Sequence, residues 1–586
     1  MFSAGTRRWA SACSWRSRRA GTSAAARATS ASGSGESAKA ALAASLRWGA
    51  AVVIGPAFRD RRMIAARSPR EQPRLGLPAP HRRWHYRRTI FGTLRARARD
   101  RGELGMDMKT TQKQDLRAWI ELLEQNGEVQ HVSGAEREKE IGGIVDFYQR
   151  KMGNKAVMFD DIPGYEKGYR VLANLLTSVR RINLTLGLPV DAKEIELVGY
   201  WREYMKDAPA IPPREVNGGA VMENVYSGDD IDLLKIPAPR WHEHDGGYFI
   251  GTACMVIMKD PDSGWINYGA YRVQVHDKKV ASVMTSKGKH GNLIMERYKA
   301  RGEKCPIAVV AGMHPSLFMV AGLEMPYGKD EYDLAGGLIG EAVEIVKGPV
   351  TGLPIPANAE IAFEGYVHPD DLIDEGPLGE WTGYYAGGVK QEPAIRIETF
   401  MHRDNPVLLG AVPAVPPNDD TFYRGTYRCG AVWNQLEAAG IPGIRGVWAH
   451  EAGGSRMWLT VSIKQEYGGH SKQAGLIASQ CHAGAYANRW VVVVDDDIDP
   501  ADMNAVVWAM CTRCDPREGV DILRGCWSTH LDPMSYSEED RRNARVIVDA
   551  CKPFARRDTF PIVARSSKEL DAAIKAKWGA VLPEGA

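Results

Sequence analysis

Apolar residues first return at helical spacing just after residue 115. Leu116, Trp119, Ile120 and Leu123 fall on one face, Asp115 stands where a cap belongs, and Asn126-Gly127 supplies the stop. A short apolar run over 156–159 predicts a strand ahead of the Pro163-Gly164 turn, and a second strand follows over 170–173. Residues 110–205 therefore read as a small α/β unit. After the Ile211-Pro-Pro linker the pattern becomes β-like, with strands expected over 252–258, 265–275, 280–285, 307–311, 361–364 and 394–402. Turn signals such as Asp260-Pro-Asp-Ser-Gly264 separate them, as in a barrel or sandwich. Helices are few in this region; one is expected from Asp330, as its cap, through Leu338.

A third region begins near residue 425. Trp490-Val-Val-Val-Val494 runs into Asp495-Asp-Asp-Ile-Asp-Pro500, which reads as a buried strand ending in an acidic turn, and a helix capped by Asp499 is expected over 501–511. At the far end Ser566-Ser-Lys-Glu569 reads as a capping box. The helix it opens carries Leu570, Ile574 and Trp578 as one apolar stripe, which suits docking on a neighbouring subunit.

The chain has 586 residues, of which 44% are hydrophobic and 25% charged, enough for roughly three folding units. Its net charge of +3 conceals an imbalance. Residues 1–105 hold 21 Arg and one Lys against 5 acidic residues, so the remainder is acidic and binding of nucleic acid by bulk charge is not expected. That Arg-, Ala- and Ser-rich stretch has no sustained apolar periodicity and reads as an unfolded extension. It resembles a long transit peptide, or translation begins at Met106 or Met108; the second reading is preferred. No stretch is suited to span a membrane. Nine cysteines without a disulfide-like framework suggest a reducing, cytoplasmic compartment, and Cys511-Thr-Arg-Cys514 lacks a second pair at zinc spacing.

The chemistry concentrates in Asp374-Glu375-Gly376-Pro377-Leu378-Gly379-Glu380-Trp381-Thr382-Gly383-Tyr384-Tyr385. Pro and Gly break any helix there, so the two glutamates belong to a structured loop backed by an aromatic cluster. Apolar surroundings keep a carboxyl protonated towards neutrality, whereas a neighbouring Arg keeps it ionised. Upstream, Asn267 and Arg272 lie in an otherwise apolar run, His290 follows the next strand, and Glu331 opens a helix. An Asn oxygen, an imidazole and a carboxylate suit Mn²⁺ or Mg²⁺ with positions open to phosphate or water. Asn267 and Arg272 are an odd number apart, so in one regular strand they face opposite ways unless a bulge or twist intervenes.

These motifs in this order resemble the UbiD family of reversible decarboxylases. The likeness runs from about residue 112 to 560 and includes Gly-Lys-Asp-Glu-Tyr around Glu331, Glu-Gly-Pro-Leu-Gly-Glu-Trp-Thr-Gly-Tyr-Tyr, Ser462-Ile-Lys-Gln-Glu-Tyr-Gly-Gly-His470 and Thr512-Arg-Cys-Asp-Pro516. It implies a mixed α+β and α/β multidomain fold: the N-terminal α/β unit over 110–205, a split β-barrel-like cofactor and metal domain over 215–420, and a C-terminal α/β oligomerisation domain over 425–586. It implies prenylated FMN, a divalent metal, usually Mn²⁺, and often K⁺. Asn267, His290 and Glu331 stand at the family's metal-ligand positions. Arg272, Glu375 and Glu380 stand at its catalytic network, and Arg489 stands where many members place a Lys on the cofactor phosphate. The implied reaction removes CO₂ from an aromatic, heteroaromatic or α,β-unsaturated acid through a covalent adduct with the cofactor. Glu375 is read as proton donor, Arg272 as the group that orients the substrate carboxylate, and Glu380 as its tuner. A flavin prenyltransferase as cofactor supplier and a homodimer or homohexamer are expected. Other readings are a non-catalytic flavin-binding subunit of a carboxylase complex, an FMN oxidoreductase, or a metal-supported hydrolase using Glu375 and Glu380.

Overall fold

The structure, a computed structural model, describes residues 114–582 apart from 152, 153, 324, 536 and 538. The N-terminal extension and the Met106 or Met108 start lie outside the described residues.

The first helix spans Leu116–Gln125 and buries the four apolar residues its periodicity marked. Asp115 caps it by accepting a hydrogen bond from Arg117 N–H at 2.7 Å. The strands Val129–Ser133, Ala156–Asp160 and Arg170–Ala173 pair in that order, but a fourth, Val407–Gly410, closes the sheet in parallel with Arg170–Ala173. The unit expected over 110–205 is therefore completed by residues far along the chain. Val171, Leu172 and Ala173 are buried, so that edge needs both a backbone partner and an apolar cover, and Val407, Leu408 and Leu409 supply both.

A nine-stranded sheet forms the middle of the molecule. Its site-forming strands are β1 (Ile266–Gly269), β2 (Arg272–Asp277), β3 (Val280–Met284), β4 (Ile361–Glu375) and β5 (Lys390–His402). Along the sheet the order is Tyr248–Gly251, β2, β3, β5, β4, Cys305–Val310, Met255–Lys259, β1, and the ninth strand, Asn224–Ser227, pairs with β5 off this path. β1 lies at one edge and β2 second from the other, yet only Ala270 and Tyr271 join them. Two residues reach at most about 10 Å, so the sheet must curl until its two ends approach, as a half-barrel does.

This curl corrects three expectations. The run 265–275 is two strands on opposite ends of the sheet, so the parity argument about Asn267 and Arg272 does not apply. The strand expected over 361–364 continues to Glu375, because 15 residues of β4 pair with the 13 of β5 in a long twisted ribbon. Glu375 is thus the last residue of a strand, and only Gly376 onward is loop. The region also holds more helix than its strand-like pattern suggested: α1 (His290–Ala300) and Pro315–Ala321 accompany α2 (Glu331–Ile339). The last is capped by Asp330 as expected.

The C-terminal part is a five-stranded sheet in which Trp458–Ile463, Trp490–Asp495 and Arg542–Ala550 run parallel at the centre. The long helix α3 (Phe422–Ala438) leads into it and packs on Glu194–Tyr204, where Trp201 Nε1–H donates to Thr426 Oγ1 at 3.0 Å. The helix after the acidic turn is Met503–Arg513, and Asp502 rather than Asp499 caps it. Asp499 instead accepts from Ala501 N–H in the preceding turn. In α4 (Lys568–Trp578) the cap is Ser567, bonded to Leu570 N–H, rather than Ser566; no residue of this helix is buried. Among the described residues no helix is long and apolar enough to cross a membrane.

Candidate active site

Arg272 opens β2 and Glu375 ends β4, so the curled sheet delivers both side chains to one place. Arg272 forks onto Glu375, with Nε–H to Oε1 at 2.8 Å and Nη2–H to Oε2 at 2.7 Å, and its Nη1–H donates to Glu380 Oε1 at 3.1 Å. Both oxygens of the fully buried Glu375 are taken by this bidentate pairing. Glu380 has a single such bond and keeps some solvent contact. Burial, with the charges of Asp420 and Glu375, pushes its carboxyl up to about 7 against the opposing pull of Arg272.

The turn between the two glutamates is held from several sides. Gly376 N–H donates to Gln274 Oε1 at 2.8 Å, and Gly246 N–H donates to Pro377 O at 2.8 Å. Glu380 N–H donates to Tyr384 O, and Asn418 Nδ2–H to Trp381 O. Gly246 and Gly379 bring backbone so close that an added Cβ would lie 1.8 Å from Gly376 O and 2.5 Å from Pro413 O respectively. The aromatic cluster does not enclose the carboxylates as a wall. Tyr384 is exposed, Tyr385 O–H donates to Asp245, and the Arg456 guanidinium lies 5.6 Å over the Trp381 ring. Cover comes instead from the backbone around Gly246 and Pro413.

Two of the three proposed metal ligands meet at the other edge of the curl. Asn267 on β1 donates from Nδ2 to Glu331 Oε1 at 2.8 Å, and both residues are buried. Glu331, at the start of α2, also accepts from Tyr268 N–H. Tyr271 O–H donates to Asn267 Oδ1 at 3.4 Å and its oxygen accepts from Gly291 N–H at 3.0 Å, tying in the first turn of α1. His290 is the first residue of that helix, its ring packed against Trp265 and Tyr327. Burial and the neighbouring Lys289 ammonium push its imidazole pKa down, favouring the neutral form that a metal requires. Burial pushes the Glu331 carboxyl up to about 8, since neutral hydrogen-bond donors only partly offset the loss of water. The buried Glu331 carboxylate and the Asn267 amide are donors that fit a hard divalent cation, and the helix that His290 opens is linked to them through the Gly291 N–H and Tyr271. Among the described residues no group of three or more His, Cys, Asp or Glu comes together; this set contains two of those types and an Asn.

Arg489 stands apart from both groups. Its Nη2 contacts both oxygens of buried Asp532 at 2.6 Å, and Asp532 also accepts from Ser528 and Asn543. Sequence reasoning missed Gln274, Tyr271 and Asp420. Gln274 was within reach of it, being two residues after Arg272 and so on the same face of a strand. Asp420 carried no local signal, because only the fold brings residues 411–420 against the catalytic turn.

Three family models match the chain in succession: the 3-octaprenyl-4-hydroxybenzoate carboxy-lyase N-terminal domain over 120–199, its Rift-related domain over 214–416 and its C-terminal domain over 422–550. A pyrrole-2-carboxylic acid decarboxylase of Pseudomonas aeruginosa is 31% identical over 420 residues, 69% of this chain and 83% of that protein. A phenolic acid decarboxylase of Streptomyces sp. (strain D7) is 29% identical, over 80% of this chain and 98% of its own. Among solved structures, the UbiD-class enzyme HmfF from Pelotomaculum thermopropionicum in complex with FMN superposes with a TM-score of 0.70 at 27% identity, covering 79% of this chain and 99% of that one. The Sedimentibacter hydroxybenzoicus vanillic acid decarboxylase gives 0.68 at 26% identity, over 80% and 99%.

Proposed function

The chain belongs to the UbiD family and is a carboxy-lyase of that type, and we propose that it reversibly decarboxylates an aromatic, heteroaromatic or α,β-unsaturated carboxylic acid using prenylated FMN. The observation that carries this reading is the single Arg272 guanidinium shared by Glu375 and Glu380, on a strand joined by only Ala270 and Tyr271 to the strand from which Asn267 pairs with Glu331. Asn267, His290 and Glu331 would hold a divalent cation, Mn²⁺ in the first instance, and through it the cofactor phosphate. K⁺ is a possible companion ion, and a flavin prenyltransferase would supply the cofactor. Arg489, bound to Asp532, is the candidate contact to the phosphate from the C-terminal part. When bound, prenylated FMN supplies the electron sink that an aromatic carbon lacks when CO₂ leaves.

The protein's own residues orient and protonate. A guanidinium has five N–H donors; Glu375 and Glu380 occupy three of them, which leaves two to receive a substrate carboxylate. The fork with Glu375 fixes the plane of Arg272 and so the direction of those donors. Protonation of the carbon needs an acid that still carries a proton near neutrality. Glu380 fits this better than Glu375, the donor favoured by the sequence reading: its carboxyl is pushed up to about 7, whereas both oxygens of Glu375 already accept from Arg272. Glu375 then serves as the positioning carboxylate.

The exposed Leu570 and Trp578 on α4 support a homo-oligomer, a dimer or a multiple of one. Free thiols at the eight described cysteines fit a reducing cytoplasm. The test is co-expression with a flavin prenyltransferase, followed by mass and absorbance spectra and CO₂ release from pyrrole-2-carboxylate, vanillate and 3,4-dihydroxybenzoate. Prenylated flavin with CO₂ release supports the reading. Unmodified FMN with NAD(P)H oxidation and no CO₂ would favour an oxidoreductase instead.

A further inference from the structure

A third carboxylate shares the sheet face that carries the catalytic pair. Glu392 on β5 lies opposite Ile373 on β4, and Glu375 is two residues beyond Ile373, so Glu375 and Glu392 point to the same side. On the other flank Arg272 pairs with Met284 of β3. Continuing the β3–β5 register from Ser282↔Ala394 by two residues brings Met284 level with Glu392. Arg272 and Glu392 thus stand in one row across three strands, with Glu375 diagonal to both. The charged and titratable neighbours on this face are Lys390 of β5, Glu375 of β4, and Arg272 and His276 of β2. His276 is bonded to Ser282 through Nε2 at 2.8 Å. Asp374 is exposed on the opposite side and binds the Gln391 amide. Glu392 itself is half-buried.

We infer that Glu392 is a positioning residue of the Arg272 network, whose charge governs how strongly Arg272 receives the carboxylate of the substrate. This rests on the decarboxylase reading above. The argument is electrostatic: the two N–H groups left on Arg272 must attract an incoming anion, and an ionised carboxylate in the same row opposes that anion through a poorly solvated interior. A protonated Glu392 does not. Burial and the charge of Glu375 push the Glu392 carboxyl up to about 7, with Arg272 and Lys390 acting the other way, so the change falls in the neutral range. Glu392 is protonated below that value and ionised above it; substrate binding is therefore tighter on the acid side. The effect belongs in KM; loss of the Glu380 proton over the same range lowers kcat and, because Glu380 bonds Arg272 directly, adds its own share to the KM rise.

Two measurements test this. On flavin-free protein, infrared titration of protonated carboxyl groups between pH 5 and 9 should lose one neutral-range carboxyl in Glu392→Gln and keep it in Glu392→Asp. On the flavin-loaded enzyme with pyrrole-2-carboxylate, wild-type KM should rise about five- to tenfold from pH 6 to pH 8.5. In Glu392→Gln the rise should fall to less than about half of the wild-type factor, the remainder coming from Glu380, with the pH dependence of kcat unchanged; Glu392→Asp should restore the full rise. An unchanged carboxyl titration in Glu392→Gln, or a KM rise of undiminished size after the substitution, overturns the proposal. A wild type that releases CO₂ with a pH-independent KM sinks this role alone. A wild type that releases no CO₂ from any acid tried sinks the decarboxylase reading and this role with it.

Discussion

Gly246 is the position where one added carbon tests the geometry of the site most directly. A Cβ there would lie 1.8 Å from Gly376 O, 2.3 Å from Gly376 C and 2.9 Å from Pro377 N, all of them backbone atoms that cannot rotate away. Real Cβ contacts do not fall under 3.0 Å, so Gly246→Ala must push the catalytic turn back by at least about 1.2 Å or move the segment 245–248 by as much. Gly376 follows Glu375 directly, and its N–H is bonded to Gln274, so the shift passes to the Arg272–Glu375 fork, whose bonds of 2.7 and 2.8 Å have no slack. A misplacement of about 1 Å costs on the order of 100-fold in rate, about 2.7 kcal/mol of barrier, and overpacking of this kind costs about 1–3 kcal/mol of stability. The assay is kcat for CO₂ release, read beside flavin absorbance and the thermal midpoint to separate a displaced turn from an empty or unfolded protein. Gly143→Ala is the control: it lies in the helix Glu140–Gln149 with nothing within 4 Å of an added Cβ, and should leave rate and stability intact or raise the latter slightly. Wild-type kcat in Gly246→Ala, with flavin bound, would show that the turn tolerates displacement and that its close packing does not position Glu375.

Glu380→Gln should retain flavin and fold but lose about 100- to 10,000-fold in kcat. In the wild type kcat should fall as pH rises through about 7, because the acid must be protonated and its carboxyl is raised to that value; the variant's residual rate should lack this limb. Glu331→Gln, which keeps the hydrogen-bonding shape but not the charge, should reduce bound Mn²⁺, measured by elemental analysis, by at least about 10-fold, and Asn267→Ala should do likewise. Arg181 is fully buried and bonded to Glu128, Asn154, Thr177 and the Leu175 carbonyl. Arg181→Met leaves Glu128 to Arg180 alone and strips Asn154, Thr177 and the Leu175 carbonyl of their buried donor, and should cost about 1–3 kcal/mol in urea unfolding without touching the site. Ending the chain at residue 561 removes α4 and should lower the mass seen by light scattering if that helix docks on a second copy; an unchanged mass would assign assembly to other surfaces.

Local chemistry was legible along the chain. The Leu116 helix, its Asp115 cap, the valine-rich strand from Trp490 and the Asp330 cap are set by contacts within a few residues, so periodicity and capping rules reach them. The identities of Asn267, Arg272, His290, Glu331, Glu375 and Glu380 were readable too, because their motifs are contiguous. What they do to one another was not. The fork from Arg272 to Glu375 joins residues 103 apart, and the Asn267–Glu331 bond joins residues 64 apart. Each depends on which strands pair across the sheet and on the curl that brings β1 and β2, near its two ends, together. The roles of Glu375 and Glu380 show the limit most plainly. The two carboxylates are chemically alike and five residues apart in one motif; tertiary packing gives one of them both arms of a guanidinium and leaves the other mostly buried with a single such bond, near Asp420. The sequence alone determined which groups are present, because that is written residue by residue. How each is paired and how far it is buried were decided by the tertiary structure, because these depend on distances and solvent access that no local stretch of chain contains.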